Sequence, residues 1–164
     1  ISSLIVNNVS EGQISARWTS YEPQSYTYSS QYAIGTSVGS DDVIPWTTIQ
    51  DDKVAIANLP TDRDLFFSVK SQNAFGYWST VAAQRFNCGK HDANDVVNLP
   101  NGTSVLISGV ISAVFGDCCY IESQDRCRGI KLVGVVDPVE GQNITVSGTI
   151  TTVNGERFII VSGS

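Results

Sequence analysis

The sequence contains no methionine, a single histidine and no apolar run near the roughly 20 residues that span a bilayer as a helix. Without methionine Ile1 is not an initiator, which points to a removed signal or pro-segment, or to trimming. The missing apolar run excludes a membrane-spanning helix and the long apolar N-terminal helix of pilin-type polymers. Runs with helical spacing are absent as well. Charge is sparse at 16%, and the formal net charge is −6. The ten basic residues are scattered, with Arg126, Arg128 and Lys131 the only local group. That argues against a nucleic-acid partner, which needs a basic stripe. Catalytic signatures are missing too. There is no Gly-rich phosphate loop, no nucleophile elbow with a Ser-His-Asp order, no H-E-x-x-H and no C-x-x-C. No carboxylate pair can be placed beside a pocket for glycosidase work. The expectation is a protein that is not an enzyme and uses no cofactor and no metal.

What is present is β-forming. The 164 residues are 41% hydrophobic, and Val, Ile, Thr, Ser and Gly dominate. This length suits one domain or two small ones. Three of the four cysteines fall between Cys118 and Cys127. There, strands over Cys118–Glu122 and Gly129–Val133 flank a polar turn. Alternation along a strand puts Cys119 and Ile121 on one face and Cys118 and Tyr120 on the other. An even number of cysteines in a small β chain fits an oxidising compartment. The expected pairing joins Cys118 or Cys119 to Cys127 and leaves Cys88 to the other. A vicinal Cys118–Cys119 bond is disfavoured, because strand geometry points the two side chains apart. Sequons at Asn8, Asn101 and Asn143 are candidate glycosylation sites on a secreted chain.

Residues 1–87 read as seven or so short strands separated by turn signals, which suggests an antiparallel sandwich. Leu4–Val9 and Gln13–Thr19 come first, with Ile14, Ala16 and Trp18 on one face. Tyr26–Ile34, Val43–Ile49 and Lys53–Ala57 follow. Leu65, Phe67, Val69 and Ser71 alternate inward, and Gly76–Ser79 and Val81–Phe86 close the set. Asp41-Asp42 and Asp51-Asp52 carry calcium-type ligands, but without EF-hand spacing they read as turn residues. The tyrosines and tryptophans read as core and sheet face ahead of a sugar-binding platform. The stretches QYAIGTSVGSDDVIPWTTI and NLPTDRDLFFSVKSQNAFGYWS resemble fibronectin type III-like domains of large secreted bacterial proteins. The resemblance rests on Trp18, Leu59-Pro60, Val69-x-Ser71-x-Asn73-x-x-Gly76 and Trp78. It departs at Leu65, which stands where the family's corner tyrosine would fall.

Residues 88–102 are polar and turn-rich, and read as a junction with His91 as a solvated loop residue. A metal site of Cys88, His91 and Asp92 is the weaker reading, since zinc normally takes four placed ligands. Beyond the junction five strands are expected: Ser104–Phe115, the cysteine hairpin, Asn143–Val153 and Arg157–Val161. Two are long and interrupted by glycine, which suggests a small closed barrel. Gly109 marks a bend or bulge, and Asn154-Gly155 a tight hairpin. This half resembles the OB-fold modules of similar secreted proteins, on Leu99–Thr103, Val114–Asp117, Tyr120–Glu122, Gly129-Ile130 and Gly148–Arg157. It departs in having no room for a helix between its third and fourth strands. It also departs in Cys119, at a usually aromatic position, and Cys127, at a usually small polar one. The resemblance implies a ligand surface across the second and third strands, carrying Tyr120, Arg126, Arg128 and Lys131. A plain solvated face is favoured there, given the acidic chain.

The fold expected is therefore all-β: a fibronectin type III-like antiparallel sandwich over 1–87, then a five-stranded OB-like barrel over 88–164. The function expected is a non-catalytic extracellular structural protein, secreted or at the cell surface. It would self-assemble or adhere, as the subunit of a filament. Its partners would be copies of itself, other surface proteins or glycans. The candidate assembly strand is Ile1, Leu4, Ile5 and Val6, placed first in its own sandwich but able to add to a neighbour's sheet edge. One alternative is a carbohydrate-binding or spacer module of a larger secreted hydrolase. The other is an OB-type binder of single-stranded nucleic acid.

Overall fold

The computed structural model describes residues 1–21, 27–123 and 125–163. Alternating β-branched and aromatic residues set its twelve strands. They are β1 (Ser3–Ser10), β2 (Gln13–Thr19), β3 (Thr27–Gly35), β4 (Ile44–Ile49), β5 (Lys53–Ile56), β6 (Leu65–Asn73) and β7 (Ala82–His91). After one helical turn, α1 (Ala93–Val96), come β8 (Ser104–Phe115), β9 (Cys118–Glu122), β10 (Gly129–Val133), β11 (Asn143–Val153) and β12 (Glu156–Gly163). Tyr26, and the side chain of Tyr28, lie outside the described residues.

The chain is all-β, a sandwich followed by a small closed barrel. One sandwich sheet has the order β1-β2-β5, and the facing strands run β7-β6-β3-β4. Ile14, Ala16 and Trp18 point inward from β2, against Leu65, Phe67 and Val69 of β6. The ring of Tyr32 stacks on Phe67 at 5.6 Å, and Trp18 lies tilted 6.0 Å away. Burying the indole requires a partner for its N–H. Nε1 donates to Ser30 Oγ at 3.2 Å, and that hydroxyl meets Ser71 Oγ at 2.8 Å. Ser71 in turn meets Ser20 at 2.7 Å. The serines that interrupt the hydrophobic pattern are thus a wire of hydroxyls leading the tryptophan's N–H outward.

The barrel closes in the order β8-β9-β10-β12-β11 and back to β8. Every contact is antiparallel except β10 with β12. Its interior holds Val105, Ile107, Ile121, Leu132, Ile150 and Ile159, with Cys119 among them. Two glycines allow the strands to curl. A Cβ on Gly109 would lie 2.6 Å from the Glu122 carbonyl, and one on Gly148 would strike Ile159 and Ile160. The register shift in β8 falls just beyond, between Ile111 and Ala113. No strand or helix forms between Val133 and Asn143.

The stretch after Asn87 differs from the expected loop. β7 runs on through Cys88 to His91 and pairs in parallel with β8, from Phe86↔Ser104 to His91↔Ile107. A nine-stranded sheet therefore passes from the sandwich into the barrel. Polar composition misleads here because these side chains are used locally. Asn87 Oδ1 accepts from Gly89 N–H, and its Nδ2 donates to Asp64. Asp92 caps α1, accepting from the N–H groups of Asn94 and Asp95. Ala93 and Val96 are buried beneath the barrel. Arg157 ties this turn to β12 through the carbonyls of Val96 and Leu99.

The expected disulfides are absent. All four cysteines are free thiols. Cys88 lies in the sandwich core and Cys119 in the barrel core, so each is walled off by its own hydrophobic cluster. Cys118 opens β9 opposite Val133, whereas Cys127 sits in the turn at the other end of that hairpin. Four residues of strand separate them from end to end, about 13 Å at 3.3 Å per residue. A disulfide needs Cα atoms within about 7 Å. Cys119 is one residue nearer but faces inward.

β1 stays in its own sheet, in register with β2 from Ser3↔Thr19 onward. Its outer edge is not open. The side-chain amide of Gln84 accepts from Val6 N–H at 2.9 Å and donates to the Val6 carbonyl at 3.4 Å. Asn8 Nδ2 adds a bond to the Asn87 carbonyl at 3.0 Å. Two amide side chains thereby stitch β1 to β7 across the side of the sandwich. At the edge of the facing sheet, β4 contains Pro45, which removes a ladder donor. β5 is only four residues long. The candidate strand Ile1, Leu4, Ile5 and Val6 is thus engaged internally, with Val6 fully buried.

Candidate functional site

Alternation on β9 and β10 sends Tyr120 and Lys131 to the barrel's outer face, directly opposite each other. Glu156, at the start of β12, joins them. It accepts from Tyr120 Oη at 2.9 Å and from Lys131 Nζ at 3.2 Å. Those two hydrogen bonds hold the Glu156 carboxyl below its usual range, Tyr120 first and Lys131 second. The same carboxylate pushes the Tyr120 phenol and the Lys131 ammonium up. Phe115 meets Tyr120 edge-on at 6.1 Å, and Lys131 Nζ stands 5.8 Å from the ring of Phe158. Three rings and one lysine line this face as a stacking surface, but Glu156 pairs with the lysine charge. Sequence reading identified Tyr120 and Lys131 and missed Phe115, Phe158 and Glu156. Phe115 and Phe158 occupy strand positions that alternation alone assigns to either face. Arg126 and Arg128 do not join the cluster. They are exposed in the β9–β10 turn, where Asp125 fixes the backbone by accepting from Ser123 Oγ and Cys127 N–H. Those bonds, Ser123 first, hold the Asp125 carboxyl down at about 2.

His91 is not a solvated loop residue. It ends β7 with most of its ring buried, and Nε2 has no partner among the described residues. Burial pushes its pKa down, while the carboxylates of Asp95, Asp64 and Asp92 pull the other way. The ring borders a groove of about 450 Å³ with Lys90, Asp92, Asp95, Ser108 and Thr145. Cys88 faces the sandwich core instead, its thiol against the Pro60 carbonyl at 3.3 Å. Within the first acidic pair, Asp42 serves structure. Asp42 accepts from Ser40 Oγ and from the N–H and hydroxyl of Thr36. Those bonds, Ser40 first, hold its carboxyl down at about 2. Among the described residues no group of three or more His, Cys, Asp or Glu is arranged to hold a metal ion. No helix among the described residues is long and apolar enough to cross a membrane.

The three sequons differ sharply. Asn8 is 2% exposed and its Nδ2 is committed to the Asn87 carbonyl. Asn101 and Asn143 are exposed, the first in a turn and the second at the start of β11.

Two further surfaces stand out. At the sandwich pole, the β6–β7 connection exposes Phe75, Tyr77, Trp78 and Val81, and Tyr21 stands exposed beyond β2. That connection is held in one shape. Asn73 Oδ1 accepts from the N–H groups of Phe75 and Tyr77, both at 3.0 Å. Gln72 Nε2 donates to the Gly76 carbonyl, and Gly76 has φ +87°. Lys70 Nζ lies between Trp46, at 4.3 Å, and Trp78, at 5.0 Å. At the barrel pole, Val114, Phe115, Val136 and Val139 are exposed. The loop bearing the last two crosses the barrel end, anchored by Gly134 N–H on Asp117 O and Gly141 N–H on Ile111 O. β7 begins at the first pole and β8 ends at the second. Because the two strands run parallel, the poles face opposite ways.

No family model matches the chain, and no curated protein does. Among solved structures, the twitchin kinase region from C. elegans (Fn31-NL-kin-CRD-Ig26) matches with a TM-score of 0.41 and 9% identity. The match covers 78% of this chain and 30% of that one.

Proposed function

We propose that this is a non-catalytic extracellular structural subunit, built from a fibronectin type III-like sandwich and an OB-like barrel, that self-assembles into a filament. The three-plus-four division of the sandwich strands supports the first fold name. The five-stranded barrel, with a parallel contact between its third and fifth strands, supports the second. The two modules meet within β7, whose Cys88 still belongs to the sandwich core. The observation that carries the function is the nine-stranded sheet through β7 and β8. A flexible linker would let two modules swivel. A shared sheet fixes one pole relative to the other, which a subunit of an ordered polymer requires. Assembly through strand edges is disfavoured, since Gln84, Pro45 and the short β5 leave little edge to pair. The test is electron microscopy and light scattering of untagged protein at rising concentration. Ordered fibres support the reading, and a monodisperse monomer throughout refutes it.

A second reading is ligand binding on the barrel face, favoured by the Phe115–Tyr120 ring pair and by Phe158 beside Lys131. Glu156 neutralises that lysine, so a glycan suits the face better than a nucleic-acid backbone. Titration calorimetry with neutral oligosaccharides, repeated on Tyr120→Ala, separates this from self-assembly.

A further inference from the structure

We infer that the joint between subunits is the aromatic pole of one sandwich seated on the barrel pole of the next copy, with Lys70 facing its acidic rim. This rests on the self-assembly reading and specifies its contact. The β6–β7 connection with Tyr21 exposes five large apolar side chains, and the end of β8 with the loop that follows β10 exposes four, where isolated exposed residues would need no explanation. The two patches are chemically unlike. The sandwich pole offers rings on a backbone held in shape by Asn73 and Gln72, so little backbone entropy is lost when they are covered. The barrel pole offers short valines beside Phe115, on a loop tied down at both ends.

Their charges are complementary as well. Asp117, Asp137 and Glu140 ring the barrel pole, all exposed and without an ion-pair partner among the described residues. Lys70 sits at the aromatic pole with no carboxylate partner among the described residues, held between two indoles. Asp51 and Asp52 lie toward the same end, on the β4–β5 turn beside Lys53 and Arg17, so the cationic character is local to Lys70. Unlike patches that face opposite ways cannot pair as a closed two-fold dimer through one surface. They propagate head to tail.

The experiment uses sedimentation velocity on four proteins: the wild type, Phe75→Ser/Tyr77→Ser, Val136→Ser/Val139→Ser, and Lys70→Glu. All four side chains substituted in the double variants are exposed, and unchanged circular dichroism checks the fold. The wild type is expected to grow with concentration without reaching a plateau. Each double variant alone is expected to stay monomeric. An equimolar mixture of the two should stop at heterodimers, because each variant keeps one working pole. Lys70→Glu, placed among like charges, should weaken wild-type growth about tenfold or more. If either double variant dimerises alone, the joint is symmetric and the inference falls. If both double variants still grow as the wild type does, self-assembly stands and this joint is wrong. A wild type that stays monomeric removes both.

Discussion

The four thiols differ in what surrounds them, and their reactivity should follow. Cys88 and Cys119 are wholly buried, and burial is the first cause of their raised pKa values. Cys127 is exposed, but the Asp125 carboxylate at its turn keeps the thiol protonated. Cys118 is half-buried on the barrel face. Iodoacetamide on the native protein should therefore label Cys118 and Cys127, with Cys127 slower than an ordinary exposed thiol. Cys88 and Cys119 should label only after unfolding, as read by peptide mass spectrometry. Recovery of any disulfide-linked peptide from native material would contradict the arrangement. His91 provides a second test. Its folded pKa lies below the ordinary 6.5 because burial disfavours the charged ring. The unfolded chain then binds the proton first, so stability is full above that value and declines as pH falls below it. His91→Gln should flatten the decline in urea-unfolding free energy on the acid side of pH 6.5, leaving other carboxylate-driven losses in place.

Among the elements, β1 and β7 carry the clearest consequences. Gln84 closes the edge of β1 with one side chain, so Gln84→Ala leaves the N–H and carbonyl of Val6 without their partner. The expected loss is about 1–3 kcal/mol, with faster hydrogen exchange at the Val6 amide. Unchanged exchange there would show that the amide is not sealing the edge. The strands themselves were legible from alternation: β2, β8, β9, β10 and β11 begin and end where turn residues and period-two patterning put them. β7 was not. Its polar tail, Asn87 to His91, reads as loop because its side chains bond to nearby backbone and to Asp64. Only the parallel partner, a dozen residues later in the chain, makes it a strand. Gly89 offered a faint signal. A Cβ there would collide with the Thr61 carbonyl, so the position admits no side chain. The cysteine pairing failed for a related reason. Alternation put Cys119 on the face of Ile121, opposite Cys118, but which face is inward and which core each thiol enters depend on the assembled sheets.

Over the whole molecule the question is how far damage spreads. Trp18→Ala removes an indole packed on Phe67 and leaves Ser30 without its donor. Truncating a buried tryptophan costs about 3–5 kcal/mol, a large share of a small module's stability. The barrel closes on itself through β8 and β11, without needing β7. The variant should therefore lose protection across residues 3–86 in hydrogen-exchange mass spectrometry and keep it across 104–161. Equal loss in both halves would mean that β7 makes the two cores one cooperative unit. The sequence showed two hydrophobic clusters and a composition change between them, but gave no sign that a strand would bridge the two.

That bridge also has a mechanical meaning. Tension drawn along a fibre would reach each subunit at its two poles, pulling β7 backward from Ala82 and β8 forward from Phe115. Because the strands are parallel, the load would fall on the pairs between Phe86↔Ser104 and His91↔Ile107 side by side, in shear, and not one after another as in a zipper. When they part, residues 92–103 supply slack between two modules that are still folded. A single subunit stretched between its poles should thus yield first by a short extension at the module boundary. Unravelling of either core should follow at a later, separate event.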